Sequence, residues 1–214
     1  MKNFALSFLF FFLFCSLGFA QKITYGLSLG ANYISIETDG DDEGLYAGDS
    51  YSPYNKKGFP VNIGGYFDYS FNESFGVKAN LFYSRNVDDY TIYLGNYKSE
   101  ELDLIKSSIK FQPLLKFDVN KEYGKGFYLL AGPQLSFILN EEDARNNFDL
   151  EENFYKTTNI GANLGFGVQF SSLIGAEIIG YYGLSNWIDN ENIDTSTAGA
   201  YFNLYINLAS LINK

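Results

Sequence analysis

The 214 residues include no histidine and a single cysteine, so any proton transfer would have to fall to carboxylates, lysines or tyrosines. That removes the base of most hydrolytic triads and of the lipid-modifying outer-membrane barrels, and no catalytic constellation and no cofactor is expected. The one run with metal-ligand character is Asp39, Asp41 and Glu43 followed by Gly44, which matches the start of a calcium loop. It is incomplete, because Ser50 stands where the bidentate glutamate belongs. A solvated acidic loop tip is the competing reading. No glycine-rich phosphate cradle follows a strand and opens a helix.

A second set of charges is more telling because it sits inside alternating text. Asp68, Lys78, Lys110, Lys116 and Glu177 all fall on the polar face of segments whose other face is apolar. If those faces line a narrow lumen, each charge needs a partner, and the five read as a compensating network rather than as surface residues. A proton or ion path is the alternative reading of the same residues. The spacing around Asn72-Glu73-Ser74 sets Phe71 opposite Phe75, and so places Asp68 directly across from Lys78.

The elements that must hold these charges are strands. From Asn159 to Phe170, Ile160, Ala162, Leu164, Phe166, Val168 and Phe170 alternate with amides and glycine, which is period two. The second face carries no charge, as a crowded lumen requires, and the glycines give room there. Similar text starts at Ile23, Phe59, Phe75, Ile105, Phe127, Ile174 and Tyr201. Eight strands result, with Ile105 and Ile109 among the outward positions. Their connections alternate long and short, the long ones being Glu37 to Lys57, a segment opening near Tyr90, Asn140 to Asn153, and Asn186 to Thr197. The expected fold is all-β, an eight-stranded antiparallel up-and-down transmembrane β-barrel with tight periplasmic turns and long exterior loops. Tyr25, Phe71, Phe75, Phe127, Phe170 and Tyr201 fall near strand ends, where aromatic girdles form. Pro113 and Pro133 lie within strands and predict bulges or irregular pairing.

The N-terminus carries an address. Lys2, a Phe- and Leu-rich run from Phe4 to Phe14, and Gly18-Phe19-Ala20 read as a cleavable signal peptide over 1–20, leaving a barrel domain over 21–214. Cys15 leaves with it, as does Lys2, which takes the formal charge from -10 to -11. Such acidity argues against nucleic acid as a partner. Mean hydropathy is only -0.11, so membrane crossing must be done by strands.

Phe127-Tyr128-Leu129-Leu130-Ala131-Gly132-Pro133 resembles the strand signature of the PorT-like outer-membrane β-barrel domain of Bacteroidetes. Gly64-Gly65-Tyr66-Phe67-Asp68-Tyr69, Leu81-Phe82-Tyr83-Ser84, Gln112-Pro113-Leu114-Leu115-Lys116 and Gly161, Gly165 and Gly167 follow the same pattern, and the resemblance spans Gln21 to the end. It implies an outer-membrane barrel without an assigned catalytic site, and for some members a link to type IX secretion. One departure is the ending Leu211-Ile212-Asn213-Lys214, where such barrels often carry a terminal aromatic. Three functions follow: a non-enzymatic envelope barrel with a filled lumen and long acidic loops, a secretion accessory, or a soluble periplasmic lipid carrier. The expected partners are outer-membrane lipid and lipopolysaccharide, together with envelope or secretion proteins.

Overall fold

The computed structural model describes residues 23–39, 45–51, 62–94, 98–143, 154–189 and 194–212. The strands are β1 (Ile23–Asp39), β2 (Leu45–Tyr51), β3 (Asn62–Ser70), β4 (Phe75–Leu94), β5 (Lys98–Asp118), β6 (Gly126–Asp143), β7 (Thr158–Gln169), β8 (Ile174–Gly183) and β9 (Asp194–Asn207), followed by a one-turn helix α1 (Ala209–Ile212). Each of β3 to β8 pairs antiparallel with its successor, β1 pairs with β3, and β1 also pairs with β9 from Gly26↔Asn207 to Asp39↔Asp194. The sheet is therefore closed on itself in eight staves, and closure leaves the barrel wall without a free edge.

The ninth strand shares a stave. β2 pairs with β1 at Tyr33↔Tyr51 and with β4 at Tyr51↔Val87, while β3 resumes on the same two neighbours at Gly30↔Asn62 and Ile63↔Tyr83. Between the positions facing Tyr51 and Asn62, β1 has only Ala31 and Asn32, and β4 only Arg85 and Asn86. One stave is thus interrupted by an insertion that leaves both flanking registers intact. Part of the expected loop Glu37 to Lys57 is wall: β1 runs on to Asp39 and β2 lies within it. The segment beyond Tyr90 is likewise hairpin, paired up to Leu94↔Lys98, and β9 begins at Asp194 inside the expected last loop. Polar text hid these extensions, because above the bilayer a strand has no lipid-facing side to keep apolar.

Outward positions are greasy along the lower part of the staves. Ile23, Leu27, Leu29, Ile63, Phe67, Leu81, Leu115, Leu164 and Leu204 are all exposed. About ten residues at ~3.3 Å each, tilted ~40°, cover the ~25 Å apolar band of an outer-membrane wall. Tyr25, Phe71, Phe75, Phe127 and Phe170 are exposed near the turn end of the barrel. Tyr201 is not a girdle residue: it is fully buried and points into the lumen, as its place on the polar face of β9 requires. Ile105, expected outward to lipid, is buried opposite Val87, above the greasy band.

The β5–β6 ladder keeps one register from Phe111↔Leu135 to Leu115↔Ala131, with no pairing recorded between, and that register sets Pro113 against Pro133. Two residues without an N–H thus share one gap in the ladder instead of opening two. The bulge lies higher, between Ser107 and Ser108, where Leu139 is the extra residue on β6.

Candidate functional site

The lumen is packed with polar side chains whose geometry follows from strand parity. Asp68, Lys78, Lys110, Lys116 and Glu177 are all buried inside the barrel. Asp68 does stand across from Lys78 in the β3–β4 register, yet each takes a different ion-pair partner, and that of Lys78 lies on the far wall of the lumen. Lys78 pairs with Glu177 of β8, and Lys116 Nζ lies 2.9 Å from Asp68 Oδ2 and 3.6 Å from Asp118 Oδ2. Side chains in a narrow cylinder reach the opposite wall as readily as the adjacent stave, which parity alone does not convey.

Tyrosines complete this inner cluster. Tyr128 donates to Glu177 Oε1 at 2.7 Å, and Tyr205 donates to Oε2 of the same carboxylate. Lys78 Nζ lies 3.4 Å from the centre of the Tyr205 ring and 4.5 Å from that of Tyr66, so the ammonium is held by π-faces as well as by a carboxylate. Tyr123, from the turn between β5 and β6, folds back into the lumen and donates to Asp68. Burial first, and then the charge of Asp68, push the Tyr123 phenol above its usual range and keep it a donor. The turn that permits this has Lys121 and Gly124 at positive φ.

A second cluster, not anticipated from sequence, closes the outer end. Lys106 pairs with Asp88, and Tyr155 donates to Asp88 Oδ2 at 2.6 Å. The Lys106 ammonium lies 4.0 Å from the Trp187 ring centre and 4.3 Å from that of Tyr155. Tyr155 and Trp187 come from segments that cross the barrel end, joined by the bridge Tyr155↔Ile188. The only signal in the sequence was a lone tryptophan buried in polar text.

Between the clusters runs an amide chain: Asn80 donates to Gln112, Gln112 to Gln134 at 2.8 Å, and Gln134 to the Tyr201 hydroxyl at 3.0 Å. Lys110 is the exception in the expected network. Its ammonium has no hydrogen-bond partner among the described residues and rests 5.1 Å from the Tyr201 ring centre.

Asp39, the first of the calcium-loop residues, ends β1; Asp41 and Glu43 lie outside the described residues. Among the described residues no group of three or more potential ligands could hold a metal ion.

Lipid-facing apolar residues, an occluded charged lumen and a closed sheet of eight staves are the marks of a small outer-membrane barrel. The outer membrane protein beta-barrel domain matches residues 19–189. This chain belongs to that family. As a member it is an outer-membrane β-barrel protein. Among solved structures the barrel is similar to Neisserial surface protein A (NspA), with a TM-score of 0.53 at 12% identity, covering 89% of this chain and 100% of that one. It is also similar to Ail, the attachment invasion locus protein of Yersinia pestis, crystallised with the heparin analogue sucrose octasulfate (TM-score 0.43, 13% identity, 87% and 99% covered). OprG from Pseudomonas aeruginosa gives 0.42 at 13% identity, with 87% and 92% covered. At such identities the likeness to NspA speaks for the fold alone. No curated protein matches the sequence.

Proposed function

We propose that this family member is a non-enzymatic barrel whose working surface is the set of segments it holds outside the cell, with a structural or interaction role in the envelope. The observation that supports this most directly is the saturation of the lumen: the acidic groups of the inner cluster are spent on lysines and tyrosines of the same chain. Carboxylates so engaged have little capacity left to act on a substrate. A lipid carrier would need its greasy faces turned inward around a ligand, and here Leu27, Phe67, Leu115 and Leu164 are exposed on the outer wall.

The acidic exterior text, including Asp41, Asp42 and Glu43 and the run from Glu141 to Asp143, favours partners that present cations or basic surfaces. Outer-membrane lipid and lipopolysaccharide are the surroundings the wall is built for, and envelope proteins are the partners of the loops. The test is fractionation with proteolysis of intact cells. The protein should partition with the outer membrane and be cut within 40–61 and 144–153; resistance of both segments on intact cells, with cutting only after lysis, would overturn the reading. The narrower resemblance to PorT-like barrels supports a role as a type IX secretion accessory, for which a deletion strain should lose export of surface proteins.

A further inference from the structure

α1 divides the foot of the barrel between two surroundings. Its four residues carry no charge and part by direction: Ala209 is buried and, with Ser210, borders the cavity at the turn end of the lumen, whereas Leu211 and Ile212 are 53% and 68% exposed. At about 100° per residue Leu211 lies opposite Ala209, away from the lumen. The turn is pinned at the seam where the sheet closes. Leu208 donates its N–H to the Tyr25 carbonyl of β1 at 2.9 Å, Ser210 donates its own to Asn207 Oδ1 at 3.3 Å, and the Asn207 side-chain amide reaches the Ser172 carbonyl at 3.0 Å. Leu211 N–H closes the turn on the Leu208 carbonyl at 3.0 Å.

One turn of helix is unstable by itself and needs something packed on its apolar side. The adjoining surface is the greasy wall: Ile206 of β9, its β8 neighbour Ile174, and Phe170 are all exposed at the same end. Leu211 and Ile212 prolong a surface that lipid already covers. We propose that α1 is a lipid-seated stopper: Leu211 and Ile212 enter the phospholipid leaflet at the turn end, and this seating holds Ala209 and Ser210 over the mouth. An uncharged element with an apolar side at the bilayer boundary suits such seating. The barrel thereby has a second interaction surface, at the end away from the exterior segments, and closure of its mouth is coupled to the bilayer.

The test uses the full chain with Cys15→Ser, so that one new cysteine carries a bimane label, reconstituted in phosphatidylcholine vesicles with or without acyl chains brominated near the head group. Leu211→Cys is the probe, Phe170→Cys the lipid-facing reference and Glu122→Cys, in an exposed turn, the aqueous one. The Leu211 label should lose fluorescence to brominated lipid as the Phe170 label does, and be shielded from iodide, which should quench the Glu122 label freely. Leu211→Asp with Ile212→Asp should unseat the turn, so that the Ser210 and Leu211 amides exchange about tenfold faster while those of β9 keep their rates, since burial of two aliphatic side chains is lost. Should that variant fail to fold, the label decides. A Leu211 label open to iodide and untouched by brominated lipid, one shielded from both as a covering protein or a second copy would leave it, or unchanged exchange in the folded double variant would overturn the proposal.

Discussion

Lys78 and Glu177 show why the five inward charges were legible while their pairing was not. Burial was readable from parity, since each residue sits between apolar neighbours on its strand. The partner was not, because Lys78 and Glu177 are 99 positions apart and meet only once eight staves have closed. Breaking this pair on one side leaves a buried charge answered only by tyrosine. Lys78→Met should therefore cost about 3 kcal/mol or more, and Lys78→Met with Glu177→Gln clearly less. Urea titration of folding into lipid vesicles measures both, and equal losses would show that the ion pair itself is immaterial. Asp88 and Lys106 escaped notice for a different reason. They lie above the greasy band, where alternation fades and a buried aspartate looks like any loop residue.

At the scale of the strand, β7 was the plainest element in the sequence, and its glycines have a specific task. A Cβ on Gly167 would lie 2.4 Å from the Tyr128 ring, and one on Gly161 would lie 2.2 Å from that of Tyr181. The missing side chains are the seats of two lumen tyrosines. Gly167→Val should displace Tyr128 from Glu177 and destabilise the barrel by about 1–3 kcal/mol. Gly180→Ala is the control: its Cβ would meet only the Leu164 carbonyl, at 3.3 Å, and the change should stay within about 0.5 kcal/mol. The facing prolines make a complementary prediction. Replacing Pro113 and Pro133 together by valine restores two donors to an otherwise regular ladder, and should add about 1–3 kcal/mol together with slowly exchanging amides at both positions. Rapid hydrogen exchange at those new amides would mean that the gap is imposed by something other than the prolines.

For the whole molecule, two ion-pair clusters and an amide chain occupy a lumen that an eight-stave cylinder leaves only just wide enough for side chains. Planar bilayers containing the protein should show no steady open level of the kind that wide porins give; a stable ohmic conductance would contradict the packing. The fold class was readable because lipid imposes a solvent on the outside as strict as any core, whereas the height of the wall above the bilayer was not, since nothing there forces a greasy face. The interrupted stave has its own consequence. Between the positions facing Tyr51 and Asn62 each neighbour advances by two residues, and neither changes phase. Length between Tyr51 and Asn62 is thus uncoupled from the ladders on either side, so an epitope tag spliced between them should leave both flanking registers in place and the barrel folded.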